Sequence, residues 1–289
     1  MNELLATIIT GMVTDENEVA YFVQKNGVTF CLPKSEGEHQ LGESVTGFAY
    51  QNQRHENALT TEIPKSRQGH YAFATVIASR RDLGVFVDIG LPDKEIAVSL
   101  DELPTLTELW PKKGDRLLVA LRVDPKGRIW GTLAEEKVFR SMSKKGREEQ
   151  KNQNITGTVF RLKIAGTYIL TEDFYLGFIH PSERYQEPRL GEVVSGRVIG
   201  VRPDGVLNVS LKPRAYEAIG DDAEMILAYL RRAKENKMPY TDKSEPEAIK
   251  EMFGISKGQF KRAMGHLLKA KLVEQKEGFT YLIEKTDLV

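Results

Sequence analysis

The chain has 289 residues, with 41 lysines and arginines balanced by 41 aspartates and glutamates, and 40% hydrophobic residues including 12 Phe, 10 Tyr and 2 Trp. This length exceeds one small domain, the apolar content supports packed cores, and the charge balance excludes a polybasic or histone-like chain. A single cysteine, Cys31, excludes an intramolecular disulfide and a cysteine-built zinc site, and the five histidines (His39, His55, His70, His180, His266) show no metal-ligand spacing.

Charge is uneven along the chain. Residues 1–64 carry nine acidic and three basic side chains, whereas residues 137–154 carry two acidic and six basic. A polyanion is repelled by the first segment and attracted by the middle. The start, MNELLATIITGMV, lacks the basic n-region of a signal peptide, and no apolar run approaches the ~20 residues of a membrane span. The chain therefore reads as soluble and cytoplasmic.

Short runs rich in Val, Ile, Phe and Thr, punctuated by Gly, predict strands from the amino terminus onward. In the first segment they are Thr10–Val13, Val19–Val23, Gly27–Phe30, Gly42–Val45 and Ala58–Thr61. The second repeats that order as Ala74–Ile77, Leu83–Ile89, Glu95–Leu100, Gly114–Val119 and Gly127–Leu133. The third reads Gly157–Val159, Gly166–Leu170, Gly177–Ser182, Gly191–Val194 and Gly205–Leu211. Five strands in about 65–75 residues suit a five-stranded Greek-key barrel. The stretch 141–154, with Lys144-Lys145-Gly146-Arg147, reads as an extended charged linker or a short helix.

After residue 216 the period becomes helical. Ala223, Ile226, Leu227, Leu230 and Ala233 follow Asp221-x-x-Glu224, a capping-box pattern. Pro246 opens a second helix and Gly254 stops it; Ser256-x-x-Gln259 caps a third, and Lys271–Gln275 with Phe279–Ile283 predict a hairpin. Three helices and a hairpin are the order of a winged helix.

The recurring Gly-x-aromatic-aliphatic and Gly-Asp/Glu-x-Val strands, with Gly-x-x-His-x-Ser in the third segment, resemble the S1 domain, a nucleic-acid-binding form of the OB-fold. The expected architecture is multidomain and mainly β: three S1-like OB-fold barrels (1–64, degenerate and acidic; 65–140; 155–215), with 141–154 as linker, then an α+β winged-helix domain at 216–289. That combination resembles the CvfB family of bacterial RNA-binding regulators over essentially the whole chain. The resemblance implies RNA binding in the cytoplasm with an effect on gene expression, with no cofactor and no catalysed reaction.

On the S1 resemblance, Phe86 and Tyr168 occupy the ring position that stacks on bases, Tyr21 is their counterpart in the first unit, and His180 is the S1 histidine, matched by Ser99 and roughly by Phe30. Asp124 and Arg128 keep an acid–base pair four residues apart; the third unit has Arg202 and Val206 there, and the first Asn52 and Glu56. Arg80, Arg81, Arg161 and Lys163, after each unit's first strand, are either solvated surface or a phosphate rail. Phe86 is either core or platform, and His180 either binds or orders a turn. In the winged helix, Lys257, Lys261 and Arg262, with His266 and Lys269, are a possible nucleic-acid contact.

A nuclease would need clustered carboxylates. Asp88, Asp93, Glu95, Asp101 and Glu102 lie close in sequence, but on a strand end and loop, and no phosphate loop or nucleophile elbow accompanies them. The alternatives left open are a DNA-binding transcription regulator reading with the winged helix and an adaptor on the ribosome or an RNA-degrading complex.

Overall fold

The computed structural model describes residues 3–213 and 215–283, and the chain divides into two compact units, Met1–Lys212 and Pro213–Val289. The first unit is three barrels. Strands β1 (Thr7–Glu16), β2 (Ala20–Lys25), β3 (Val28–Pro33), β4 (Ser44–Gln51) and β5 (Asn57–Thr60) close in the order β1-β2-β3-β5-β4. The same order is repeated by β6 (Ala72–Arg80), β7 (Gly84–Asp88), β8 (Ile96–Ser99), β9 (Arg116–Val123) and β10 (Ile129–Leu133). A helix, α1 (Glu136–Met142), precedes the third set, β11 (Asn154–Lys163), β12 (Gly166–Thr171), β13 (Leu176–Ile179), β14 (Val193–Val201) and β15 (Leu207–Ser210). In every barrel the third and fifth strands meet in parallel, at Cys31 and Ala58, Ala97 and Trp130, and Phe178 and Asn208.

Two local devices recur. Each first strand carries a bulge at one step, between Val13 and Asp15, Val76 and Ala78, and Val159 and Arg161, which bends it around the barrel. The Gly of the Gly-x-aromatic run is needed for close approach: Gly84 and Gly166 have φ of +132° and +147°. A Cβ at Gly84 would collide with the Val98 carbonyl oxygen, and one at Gly166 would lie 2.5 Å from that of Ile179.

The bulges set the register between barrels and correct two sequence assignments. Beyond the bulge, Asp15 pairs with Phe22 as Ala78 does with Phe86 and Arg161 with Tyr168. Phe22, not Tyr21, is therefore the first-barrel counterpart, and Tyr21 is buried. A one-residue slip moves a strand side chain to the opposite face. By the same register Pro33, not Phe30, stands where Ser99 and His180 stand; Phe30 lies in the core with no exposed surface.

The stretch 141–154 is laid along the third barrel. Lys144 donates its amide to the Phe174 carbonyl at 2.7 Å, Gly146 to Gly205 at 2.8 Å, and Asn152 to Val198 at 2.8 Å. Barrels one and two share one hydrophobic core running from Leu5 through Phe48 and Leu59 to Val98 and Ile129. Barrels two and three are joined by an apolar cluster containing Leu118, Phe139, Leu170, Leu176, Phe178 and Val206, and by Arg189, which donates to both Asp115 carboxylate oxygens at 3.2 Å. Such a two-point pair fixes orientation as well as contact.

The second unit contains α2 (Ala215–Arg232), β16 (Lys237–Met238), α3 (Pro246–Phe253), α4 (Lys257–Lys269), β17 (Val273–Lys276) and β18 (Phe279–Leu282), with sheet order β16-β18-β17. Ile226, Leu230, Ile249, Phe260, Met264 and Leu267 form its core. Pro246 starts α3, Gly254 ends it at φ +69°, and the Ser256–Gln259 capping box is formed. The first helix extends further toward the amino terminus than expected, so Asp221 lies inside it rather than at its cap. Residues 284–289, the end of the expected winged-helix domain, lie outside the described residues.

Candidate nucleic-acid interface

In the second barrel, strand pairing places Phe86, Ala97, Trp130 and Arg122 in one row across β7, β8, β10 and β9. Alternation decides which side they face: Val85 and Val87 point into the core with no exposed surface, while Phe86 is half-buried on the outside. Ala97 between the two rings adds only a methyl, so no bulky side chain separates them. Trp130 is braced from below by the hairpin. Its indole donates to Asp124 Oδ2 at 3.2 Å, and Arg128 Nε donates to the same oxygen at 2.7 Å. The Arg128 and Arg122 guanidinium groups lie 5.3 and 5.8 Å from the indole ring, so two cations flank a stacking surface.

Burial by itself would raise the Asp124 carboxyl. Hydrogen bonds from the Arg128 amide, the Arg128 side chain and the Trp130 indole outweigh it, bringing the pKa down from 3.8 to about 2. The predicted pair is thus formed, and it acts on a ring that sequence reasoning missed. The signal was present in Ile129-Trp130-Gly131, where Ile129 and Gly131 face inward and Trp130 must face out.

The third barrel carries Arg161, Tyr168, Phe178 and Asn208 in the matching row. Tyr168 is half-buried and meets Phe178 edge to face at 5.1 Å. Lys163 sits 5.1 Å over the Tyr168 ring, and the Arg202 guanidinium 4.0 Å over Phe178, with its Nε donating to Asn208 Oδ1 at 2.9 Å. His180 is exposed and directly follows β13. Its Nδ1 accepts from the Ser182 amide at 3.2 Å, so it orders the following turn while borders of an open cavity of about 340 Å³ are shared by His180, Phe178, Ser182 and Arg202. The turn-ordering reading of His180 is thus observed, and its imidazole remains exposed at the cavity edge. Val206, by contrast, is buried at the 2–3 junction.

The four basic candidates differ. Arg80 and Arg81 are exposed at the β6–β7 hairpin, with Arg80 3.1 Å from Asp82. Arg161 and Lys163 are held by Glu136 of α1, at 3.5 and 3.0 Å. Among the acidic candidates, Asp93 accepts from Tyr50 at 2.7 Å and Glu102 accepts from the Leu133 amide at 2.6 Å, so both serve the fold.

The matching row of the first barrel, Phe22, Cys31, Ala58 and Tyr50, is engaged at its Tyr50 end by the second barrel. The Tyr50 hydroxyl donates to Asp93, and Lys94 Nζ donates to the Gln51 carbonyl. Burial first, then the Asp93 carboxylate, pushes the Tyr50 phenol far above its usual range. Asn52 and Glu56 hold the hairpin that Asp124 and Arg128 hold in barrel two, with Asn52 Nδ2 donating to Glu56 Oε2 at 2.9 Å; the cation is absent from that position.

In the winged helix, α4 exposes Lys261, Arg262, His266 and Lys269, while Lys257 at its start is half-buried. Burial raises the Asp222 carboxyl, and nearby Arg262 offsets only part of the rise. No described helix is long and apolar enough to cross a membrane.

Comparison with known proteins follows this division. Family models described as S1 domain, CvfB first S1-like domain, virulence regulatory factor CvfB second domain and CvfB-like winged helix domain match residues 7–62, 71–132, 139–213 and 224–282. Conserved virulence factor B of Staphylococcus epidermidis is 41% identical over 265 residues, covering 90% of this chain and 88% of its own. Protein YitL of Bacillus subtilis is 40% identical over 275 residues, covering 94% and 92%. A crystal structure from Streptococcus pneumoniae, described as a multidomain protein with nucleic acid binding domains, is 51% identical with a TM-score of 0.72, covering 98% of this chain and all of that one. Three S1-type barrels, a winged helix and this identity across nearly the whole length lead to one conclusion: the chain belongs to the CvfB family of virulence regulatory factors.

Proposed function

We propose that this protein binds single-stranded RNA on the outward rows of its second and third barrels and regulates gene expression after transcription, in the cytoplasm and without catalysing a reaction. The observation that carries this reading is the pair of outward rings Phe86 and Trp130 with Arg122 and Arg128 beside the indole. Rings stack on any base, and adjacent cations meet the phosphates. Tyr168, with Lys163 above it, supplies a second such place on barrel three. The first barrel contributes little, since Tyr50 of its row is bound by Asp93 and its segment is acidic.

The test is a titration of labelled single-stranded RNA beside duplex DNA at two salt concentrations, with wild type and the variant Phe86→Ala/Trp130→Ala/Tyr168→Ala. RNA binding that weakens with salt and is largely lost in the variant supports the reading. The exposed cationic side of α4 favours a second reading, duplex DNA binding by the winged helix. Preference for duplex, abolished by Lys257→Ala/Lys261→Ala/Arg262→Ala, would replace the first reading with the second. Binding to neither would leave the adaptor role.

A further inference from the structure

Glu136 sits where a polyanion would bind. It is the first residue of α1, which leaves barrel two and lies against barrel three. Its Oε2 is 3.0 Å from Lys163 Nζ and 3.5 Å from Arg161 Nη1, and its Oε1 is 2.7 Å from Arg140. Phe139 of the same helix stacks on Phe160 at 3.9 Å with the rings 16° apart. Phe160 is the extra residue of the β11 bulge and neighbours the Tyr168 ring at 6.2 Å. Helix α1 therefore brings one carboxylate and one ring to the edge of the Tyr168 row. It places them against the two cations that border that row.

Resting on the RNA-binding reading above, we propose that Arg161 and Lys163 form a backbone-phosphate subsite of barrel three, and that the Glu136 carboxylate occupies it until RNA displaces it. A carboxylate oxygen and a phosphodiester oxygen each offer one negative charge to the same donors. Lys163 links the two parts directly, since it lies over the Tyr168 ring and donates to Glu136. RNA stacked on Tyr168 therefore brings a phosphate within reach of the ammonium that Glu136 holds. Glu136 acts as a built-in competitor that lowers affinity and blunts salt dependence, rather than as a contact to RNA.

The test compares Glu136→Gln with Glu135→Gln, which makes the same charge change one residue earlier, where the side chain pairs with exposed Lys137 at 3.0 Å. Exposed ion pairs are each worth roughly a factor of 1.4 to 5, so releasing two predicts roughly 2- to 25-fold tighter RNA binding for Glu136→Gln. Because salt also weakens the ion pairs that Glu136 makes, its removal steepens the slope of log affinity against log salt, by at most about 1.4 for two phosphate contacts. Both gains disappear when Glu136→Gln is combined with Arg161→Ala and Lys163→Ala. Unchanged or weaker binding by Glu136→Gln, or an equal gain in Glu135→Gln, overturns the proposal while RNA binding by wild type leaves the function standing. Failure of wild type and Glu136→Gln alike to bind RNA overturns both.

Discussion

Trp130→Ala is the sharpest single perturbation of the proposed surface. It removes a ring that stands half-exposed beside Phe86 and is held by the Asp124 hydrogen bond and two flanking guanidinium groups. One base stacked on one ring is worth about 1–3 kcal/mol by alanine substitution, which is roughly 5- to 150-fold in affinity. Trp130→Phe keeps a ring in place and loses only the indole donor, so its affinity stays within about threefold of wild type. The assay reads itself, because the chain has two tryptophans. Trp110 is 8% exposed and donates its indole to the Pro104 carbonyl at 2.6 Å, away from solvent. RNA should therefore quench Trp130 alone, and the quench should vanish in Trp130→Phe while anisotropy still reports binding. Wild-type affinity in a folded Trp130→Ala variant, or persistent quenching in Trp130→Phe, would refute the reasoning.

Three further outcomes concern the scaffold. Gly84→Ala meets both a left-handed φ and the Val98 carbonyl and should lower the urea midpoint by the equivalent of about 3 kcal/mol or more. Gly27→Ala, at φ +75° with no atom within 4 Å of the added Cβ, should cost about 1 kcal/mol; equal costs would contradict the close-approach argument. Tyr50→Phe removes the hydrogen bond to Asp93, whose carboxylate then regains water, so the loss should be about 1 kcal/mol, read as a lower melting temperature. Asp124→Asn tests the hairpin electrostatics through pH. The folded carboxyl titrates near 2 rather than 3.8, so its contribution is present above the unfolded value and lost as pH falls through the folded one. The stability gap between wild type and Asp124→Asn should be full near neutrality and narrow between about pH 4 and pH 2. A gap as wide at pH near 2 as at neutrality would show that the hydrogen bonds to the ionised carboxylate are not its source.

Much of the site was readable because the S1 pattern ties a side chain to a strand position. Phe86 and Tyr168 follow a Gly that the barrel requires for backbone contact, so their outward direction was carried by Gly84-Val85-Phe86 and Gly166-Thr167-Tyr168. Where that Gly is replaced by Ala20, the anchor was lost and the register slipped by one, to Tyr21. Trp130 was missed because the neighbour that gives it meaning, Ala97, is more than thirty residues away and adjacent only through a parallel pairing. Arg161 and Lys163 were visible as cations, but their partner Glu136 belongs to the end of a different barrel.

The sequence by itself determined the number of barrels, the five strands of each along the chain and the winged helix, because local signals mark them: period-two strands and glycine at forced turns in the barrels, a capping box at Ser256 in the winged helix. These signals act over a few residues and need no knowledge of the rest of the chain. Tertiary structure alone decided which outer faces remain open. Barrel one has Tyr50 of its row bound by Asp93, barrel three has its cations held by Glu136, and barrel two keeps Phe86 and Trp130 half-exposed on its outer face. The physical reason is that exposure and pairing depend on groups brought together from distant positions. A local pattern of apolar and polar residues fixes which face a side chain takes, and leaves open what will cover that face.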